Sequence, residues 1–315
     1  MGNFLKNKKI SVTGGEGFLG GHLIRLLEKK NPKKISIVRH SEYDLVDGYD
    51  VRKMYKDQKP DIVFHLAATV GGIGVNQQNP GKFFYENAVM NLQVIHNAYL
   101  SNVEKIISIG TVSVYPEDTP IPFDEKNIWK GYPQEDNAPY GIAKRIMHTH
   151  SLSYRKQYNF NSIMMILTNL YGPGDNFNKD TSHVIAALIR RIYEAKERNE
   201  KEIIVWGDGN STRDFCYIED IAQGIILAAE KYNDSEPLNL ASGREVTIKE
   251  LVMIIKKLMN YEGKIIWDKD MPIGPNRRNI NIQLAKKKIG FKPKFSLEEG
   301  IKKTVEFYTS FKKDN

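Results

Sequence analysis

Short apolar runs recur along the first half of the chain, and segments with helical spacing separate them. Strands that are apolar throughout and alternate with helices are buried on both faces of a parallel sheet. The pattern therefore predicts an α/β fold with a doubly wound parallel sheet. The runs are KKISVTG (8–14), KKISIVRH (33–40), DIVFHLAA (61–68), KIISIG (105–110) and NSIMMILTNLYG (161–172).

The second half of the chain has shorter elements and a looser pattern. We interpret residues 1–170 as one domain built on the large sheet. Residues 171–315 are interpreted mainly as a smaller C-terminal α/β lobe, from which some segments return to the main sheet. The elements expected in this lobe are helices at 181–197 and 219–231, a strand at 203–207 and a terminal helix after 292–300.

A glycine-rich turn, TGGEGFLGG, joins the first strand to the first helix. In this context Gly14 permits a tight turn, Gly17 lets the backbone approach a pyrophosphate, and Gly20 lets the helix pack closely. The N-terminus of the helix would then donate N–H groups to the anion. The turn predicts a dinucleotide site in a Rossmann-type domain. Residues expected beside it are Phe18, Leu19, Ala67 and Ala68.

The residue after the second strand indicates which dinucleotide is bound. An acidic residue there would hold a ribose 2′-hydroxyl, but this position is Arg39. A guanidinium suits a 2′-phosphate, so we expect NAD(P)(H) as cofactor, with NADP(H) favoured over NAD(H). The alternative is that Arg39 stacks on the adenine or faces solvent. Asp44 and Leu45 are expected on the adenine side.

Tyr140 and Lys144 are four residues apart at the start of a helix, in APYGIAK, and therefore share one face. A nearby ammonium favours the phenolate, and a phenol tuned in this way can exchange a proton with a carbinol. Upstream, GTVSVYP (110–116) carries the hydroxyls of Thr111 and Ser113 at the end of the fourth strand. Catalytic groups gather at this edge of open α/β sheets.

Together these features resemble the extended short-chain dehydrogenase/reductase (NAD-dependent epimerase/dehydratase) superfamily. The resemblance implies that Thr111 binds the substrate oxygen, Tyr140 transfers the proton, and Lys144 tunes Tyr140 and holds the ribose. Longer segments resemble the GDP-L-fucose synthase branch: VGGIGVNQQNP (70–80), NAPYGIAK (137–144), TNLYGPGDNF (168–177), SHVIAALIRR (182–191) and VWGDGNSTRDF (205–215). This branch implies a GDP-sugar substrate and a homodimer formed through the helices at 80–102 and 139–158.

The resemblance also implies a set of substrate contacts. Asn169 and Arg213 would bind the nucleotide diphosphate, and Trp206 or its neighbours would pack on the base. The alternative for Arg213 is an ion pair with Asp214 or Asp220. Further contacts are implied for Val70, Gly71, Gly72, Ile73, Arg277 and Arg278.

Ser113 departs from the pattern of the branch, which has a cysteine at this place and a histidine matching His183. That pair moves protons at C3 and C5 of the sugar. A thiol has a pKa of roughly 8.5, whereas a serine hydroxyl needs an adjacent base. We therefore expect an oxidoreductase acting at C4 of a GDP-linked mannose-type hexose or heptose, by 4-keto reduction or 4-hydroxyl oxidation. Epimerase activity is expected to be weak or absent, and Cys216 is expected to be a buried filler.

Two alternatives remain: a complete GDP-L-fucose synthase, and a non-catalytic dinucleotide sensor with the same fold. The net charge is +8, but the lysines are scattered, which indicates a solvated surface and no nucleic-acid partner. The N-terminus has no apolar leader and no apolar run approaches membrane length, so we expect a cytoplasmic protein without a membrane partner. The histidines lack metal-ligand spacing, so no metal is expected.

Overall fold

The computed structural model describes residues 4–71, 78–179, 181–270 and 277–314. A parallel sheet of six strands forms the centre of the molecule, and the predicted α/β fold is confirmed. The six strands are β1 (Lys9–Thr13), β2 (Lys34–Val38), β3 (Ile62–His65), β4 (Lys105–Thr111), β5 (Ser162–Leu167) and β10 (Leu238–Leu240). Their order across the sheet is β10-β5-β4-β3-β1-β2.

Helices cover both faces of this sheet, because successive strand residues point to opposite sides. Ile62 and Phe64 of β3 belong to the core on one face of the sheet, whereas Val63 belongs to the core on the other face. In the described parts of the chain, none of the helices has the length and apolarity needed to span a membrane. The helices around the sheet are α1 (Phe18–Glu28), α2 (Gly48–Gln58), α3 (Pro80–Leu100), α4 (Ala138–Tyr158) and α6 (Ile218–Lys231).

Two-stranded sheets build the rest of the structure: β6 pairs with β9, β7 with β12, and β8 with β11. Their strands are β6 (Asn169–Tyr171), β7 (Glu202–Trp206), β8 (Thr212–Arg213), β9 (Phe215–Tyr217), β11 (Val246–Thr247) and β12 (Lys264–Asp268). The helices of this part are α5 (Val184–Glu197), α7 (Ile248–Leu258), α8 (Gln283–Ile289) and α9 (Leu297–Asp314).

The run predicted as a single fifth strand is divided at Thr168. The Thr168 hydroxyl donates to the carbonyl oxygen of Asp214 at 2.8 Å, and Asn169 Nδ2 donates to the same oxygen at 3.1 Å. These bonds hold the chain beside β9, so β6 leaves the main sheet. The sequence prediction of one continuous strand was wrong here, because the apolar pattern does not reveal which partner each half pairs with.

Contacts across the expected domain boundary tie the two halves of the chain together. Strand β10 pairs with β5, with Leu238 opposite Met165. The buried Lys105 ammonium donates to the carbonyl oxygens of Ala229 at 2.7 Å and Tyr232 at 2.5 Å, at the end of α6. Positive charge at a helix C-terminus is stabilising, so this lysine anchors α6 to the sheet.

Asn239 in β10 fixes the long connection that follows the hydroxyl-bearing turn. Its Oδ1 accepts a hydrogen bond from the Tyr115 hydroxyl at 2.7 Å, and its backbone N–H donates to Glu125 Oε1 at 2.9 Å. Its Nδ2 donates to the carbonyl oxygens of Phe123 and Asn281. The connection is therefore held against the carboxyl edge of the sheet by one buried amide.

Candidate active site

The glycine-rich turn lies between β1 and α1 and is packed against the end of β3. Gly14 has a φ of 68°, and a Cβ atom there would lie 2.9 Å from the backbone nitrogen of Ala67. A Cβ atom on Gly20 would overlap the carbonyl oxygen of Gly14. Thr13 Oγ1 accepts the N–H groups of Leu66 and Ala67 at 3.2 and 3.1 Å. The turn is thus a narrow cradle that side chains would fill.

This cradle fits the pyrophosphate of a dinucleotide. Gly17 caps the N-terminus of α1 without a side chain, and the first turn of the helix has no acidic residue. The first N–H groups and the positive end of the helix dipole are therefore suited to an anion. Phe18 and Leu19 are half-buried at the start of α1, and Ala67 and Ala68 are half-buried after β3.

Arg39 comes directly after β2, and its guanidinium contacts two carboxylates. Its Nε donates to Glu16 Oε1 at 2.7 Å, and its Nη1 to Glu42 Oε1 at 3.4 Å. The hydrogen bond from Arg39 to Glu16 is the largest cause of a raised pKa for Arg39. Asp44 accepts a backbone N–H through Oδ1, and Leu45 is buried in the core.

Tyr140 and Lys144 share one face of α4, as the spacing predicts. Lys144 Nζ lies 5.8 Å from the centre of the Tyr140 ring, and Lys144 is 1% exposed. Burial lowers the pKa of Lys144 to about 8 and raises the pKa of Tyr140. We expected the ammonium to favour the phenolate, but here the cost of burying charge is the larger effect. Tyr140 is therefore protonated at neutral pH and can donate a proton.

Thr111 ends β4, and its hydroxyl oxygen accepts the backbone N–H of Ser113 at 3.3 Å. This bond caps the short 3₁₀ turn Val112–Val114. A hydroxyl that accepts in this way keeps its own hydrogen for another partner. Thr111 is half-buried, so its hydroxyl both holds the turn and can donate to a ligand.

The turn that carries these hydroxyls is fixed to the helix that carries Tyr140. A Cβ atom on Gly141 would overlap the carbonyl oxygen of Ser113, so only glycine allows this close approach. Arg145 Nε donates to the carbonyl oxygen of Val114 at 2.8 Å. The structure therefore brings the backbone around Thr111 and Ser113 against the first turn of α4. Sequence reasoning missed Gly141 and Arg145, although both lie within or next to the Tyr–Lys motif.

His65 is a further residue to which sequence reasoning gave no role in the site. Its Nδ1 lies 2.8 Å from Thr13 Oγ1, and its Nε2 lies 2.9 Å from Asn91 Oδ1. Because Thr13 Oγ1 accepts two backbone N–H groups, its own hydrogen goes to Nδ1, and Nε2–H donates to Asn91. Burial first, and then the charge of Lys144, lower the pKa of His65 to about 3. A neutral imidazole thus lies near the lysine.

Arg213 and Arg278 are neighbouring cations, and the backbone N–H of Arg278 donates to the carbonyl oxygen of Thr212 at 3.2 Å. Arg213 is half-buried and its Nη1 donates to the Thr212 carbonyl oxygen at 2.7 Å. Arg278 Nη2 donates to Gln134 Oε1 at 2.9 Å. Burial, and then the charge of Arg213, lower the pKa of Arg278 to about 10. Two guanidiniums in one half-buried place are suited to a diphosphate.

The two carboxylates considered as ion-pair partners for Arg213 accept hydrogen bonds from other groups. Asp214 accepts hydrogen bonds from Ser242 and from the Gly243 N–H, and Asp220 accepts two backbone N–H groups. Arg277 has a different partner, since its Nε and Nη2 each lie 2.7 Å from a carboxylate oxygen of Glu245.

Among the other predicted substrate residues, Trp206, His183 and Val70 are exposed. Trp206 is 49% exposed, with the Arg191 guanidinium 5.7 Å from its ring centre. His183 precedes α5 with an exposed side chain, and desolvation by the surrounding protein lowers its pKa. Val70 is 65% exposed, and Gly71 is half-buried. Gly72 and Ile73 lie outside the described residues.

Cys216 is the one cysteine of the chain, and it is buried with a free thiol. It is 1% exposed in β9, opposite Leu170, and burial raises the pKa of its thiol well above the ordinary value. It packs in the core, as expected for a filler. Among the residues that the structure describes, no group of three or more His, Cys, Asp or Glu side chains is arranged to hold a metal ion.

A glycine-rich cradle after β1 and a Tyr–Lys pair on a helix packed against the turn that follows β4 together define an NAD(P)-dependent oxidoreductase of the short-chain dehydrogenase/reductase type. More narrowly, the chain belongs to the NAD dependent epimerase/dehydratase family, whose sequence profile matches residues 10–241. The resemblance found in the sequence is confirmed, and so is its branch.

Relatives along the whole chain support this placement. The chain is 36% identical over 310 residues to a putative GDP-L-fucose synthase 2 of Arabidopsis thaliana, covering 98% of this chain and 94% of that protein. It is also similar to a solved GDP-6-OMe-4-keto-L-xylo-heptose reductase from Campylobacter jejuni, with a TM-score of 0.90 and 27% identity. That similarity covers 100% of this chain and 99% of the reductase chain. A third relative is a GDP-D-glycero-L-gluco-heptose synthase from Campylobacter jejuni, solved in the presence of NADPH. Its TM-score is 0.88 at 27% identity, and the similarity covers 97% of this chain and 98% of the synthase chain.

Proposed function

We propose that this chain reduces the 4-keto group of a GDP-linked mannose-type sugar, either a hexose or a heptose, with NADPH. The observation that carries the proposal is the half-buried Tyr140 on the same helix face as Lys144. Desolvation raises the pKa of Tyr140, so the phenol keeps its proton at neutral pH. A protonated phenol donates to the oxygen of a ketone that is being reduced, whereas oxidation of a 4-hydroxyl needs the phenolate. A protonated Tyr140 is thus suited to reduction, and the choice of this direction is supported by the similarity to a solved 4-keto-heptose reductase.

The roles of the residues follow from their chemistry. The Thr111 hydroxyl donates a hydrogen bond to O4 of the sugar and orients the ketone. The reduced nicotinamide, when bound, supplies a hydride to C4. Tyr140 Oη gives its proton to O4, and the Lys144 ammonium stabilises the phenolate that this leaves.

The arginines support the choice of ligands. Arg213 and Arg278 suit the two phosphates of a GDP-sugar, and exposed Trp206 offers a flat apolar surface to the base. Arg39, directly after β2, suits the 2′-phosphate of NADPH. The named relatives that act on GDP-sugars, one of them solved with NADPH, support the same assignment.

Ser113 supports a reductase with weak or absent epimerase activity. Among the described residues no base is hydrogen-bonded to its hydroxyl, and the only cysteine is buried in β9. Proton removal next to the ketone would need a group with an accessible basic form. His183 can then only bind the sugar or act as half of an incomplete pair.

The experiment is turnover of a GDP-4-keto-6-deoxymannose in D₂O, with NADPH consumption followed by absorbance and the product analysed by mass spectrometry and NMR. We expect NADPH oxidation with no deuterium at C3 or C5. Ser113→Cys should introduce deuterium at these carbons, and Ser113→Cys combined with His183→Asn should lose part of it. Appreciable deuterium in the wild-type product would contradict the proposal.

A complete GDP-L-fucose synthase is the second candidate. It is favoured by the 36% identity to a putative enzyme of that name across 98% of this chain. The same experiment separates the two, because this candidate predicts GDP-L-fucose labelled at C3 and C5 from the wild-type protein.

A homodimer through α3 and α4 is also part of the proposal. Tyr85, Leu92 and Leu100 are 60%, 40% and 57% exposed along α3, and apolar side chains of this size at helical spacing suit a partner helix. Light scattering should give about twice the chain mass of 36.1 kDa. Leu92→Glu should give a monomer, whereas Met253→Glu on α7, also exposed, should not.

A further inference from the structure

Arg39 is already engaged by two carboxylates of this chain. Glu16 Oε1 lies 2.7 Å from its Nε, and Glu42 Oε1 lies 3.4 Å from its Nη1. Between 43% and 60% of each of these three side chains is exposed. Exposed ion pairs contribute little to folding, so stability does not account for this cluster.

The position of the cluster follows from the sheet. Strands β1 and β2 are parallel neighbours with Thr13 opposite Val38. The glycine-rich turn after Thr13 and the segment after Val38 therefore leave the sheet side by side. In Rossmann sites the adenosine ribose lies between these two segments. Glu16 thus flanks the place where a 2′-phosphate would meet Arg39.

We propose that Glu16 sets the choice between NADP(H) and NAD(H) by competing with the 2′-phosphate for Arg39. This inference rests on the dinucleotide site proposed above and adds a specificity-determining residue to it. The phosphate carries nearly two negative charges, so it must displace Glu16 from the guanidinium and then lie close to it. NAD(H) has no 2′-phosphate and leaves the Glu16–Arg39 pair in place.

The size of the effect follows from Coulomb's law. A dianion about 6 Å from a carboxylate in water is repelled enough to weaken binding about tenfold. Glu42 contacts the guanidinium at the longer distance of 3.4 Å, so its effect is smaller. The chain therefore discriminates weakly between the dinucleotides, although Arg39 alone would select NADP(H).

The test is a fluorescence titration of the full chain with NADPH and with NADH at low salt. Glu16→Gln should tighten NADPH binding about tenfold and change NADH binding less than twofold. Glu42→Gln should tighten NADPH binding two- to threefold. The control is Glu250→Gln, which removes the same charge from a comparable exposed pair with Arg244 at 2.8 Å and should change neither affinity.

A Glu16→Gln protein that binds NADPH no more tightly, or in which both affinities change by the same factor, would overturn the role of Glu16. In an Arg39→Ala background the gain from Glu16→Gln should be smaller, because only the direct repulsion between Glu16 and the phosphate remains. An undiminished gain there would overturn the competition for Arg39. If the wild type bound neither dinucleotide, the proposed function itself would fail, so the two failures are distinguishable.

Discussion

The carbonyl oxygen of Ser113 occupies the space that a side chain on residue 141 would need, and Gly141 leaves that space open. Gly141 directly follows Tyr140. The hydroxyl-bearing turn after β4 and the helix with the Tyr–Lys pair therefore touch through their backbones. Backbone contact sets the spacing of the site more rigidly than side chains with several rotamers would.

Gly141→Ala tests this contact. The methyl group would push the turn and Thr111 away from α4, and a displacement of about 1 Å can lower turnover about a hundredfold. We expect kcat to fall by that order while the dissociation constant for NADPH changes little. Gly81→Ala is the control, because nothing lies within 4 Å of a Cβ there. Unchanged kcat in Gly141→Ala would disprove the role of the contact.

Tyr140→Phe tests proton donation and the sensor alternative together. Loss of a positioned general acid should lower kcat by about 10²- to 10⁴-fold, with NADPH binding retained. Tyr132→Phe, on an exposed side chain near the same turn, should be neutral. A Tyr140→Phe protein with wild-type turnover would exclude this mechanism, and a wild type without turnover would favour a sensor.

The pH dependence should report Lys144. Burial lowers its pKa to about 8, so the ammonium is present below that pH and is lost above it. We expect kcat/KM to fall as the pH rises through about 8, instead of near the ordinary lysine value. In Lys144→Arg the remaining activity should no longer fall above about pH 8, since a guanidinium stays charged. A wild-type profile flat to pH 10 would refute the assignment.

The adjacent arginines 277 and 278 offer a matched comparison. Arg278→Gln removes a cation next to Arg213 and should raise KM for the GDP-sugar roughly tenfold or more, by loss of a charge-assisted phosphate contact. Arg277→Gln should have a smaller effect, because Glu245 holds that guanidinium. Steady-state kinetics at fixed NADPH gives both values. A larger effect at Arg277 would reverse the assignment.

Glu125 should control part of the pH dependence of folding. Burial is the main cause that raises the pKa of the Glu125 carboxyl from 4.5 to about 7 in the native state. Between these two pH values the native protein therefore keeps the proton on Glu125, whereas the unfolded chain has lost it. Stability from this group is complete below that window and falls as the pH rises through it. Denaturant unfolding at pH 8 should show Glu125→Gln more stable than the wild type, by at most about 3 kcal/mol. Equal stability at pH 8 would contradict this.

One helix shows why element prediction was incomplete. The sequence analysis named no helix between β2 and β3, yet the structure has α2 there. The signal was present: Asp47 caps the helix by accepting two backbone N–H groups, and Val51, Met54 and Tyr55 are buried at helical spacing. Charged residues between these positions obscured a pattern that only three apolar side chains carry.

Some features of the site are defined by residues close in sequence, and others by residues far apart in sequence. The glycine-rich turn and the Tyr–Lys pair were predictable because neighbours in sequence define them. The contact of Ser113 with Gly141 and the pairing of Glu16 with Arg39 join residues 28 and 23 positions apart. Sequence spacing does not predict these two contacts, because they depend on which strands lie side by side in the sheet.

Strand β10 also bears on protein engineering. A chimaera cut at residue 170 would take its first part from one relative and β10 from another, so the foreign strand would have to pair with β5 and supply Asn239 to the connection around Glu125. A fragment ending there would leave β5 as a bare edge strand, open to pairing with other chains. Exchange of sugar specificity between relatives is better attempted by grafting loops onto an intact sheet.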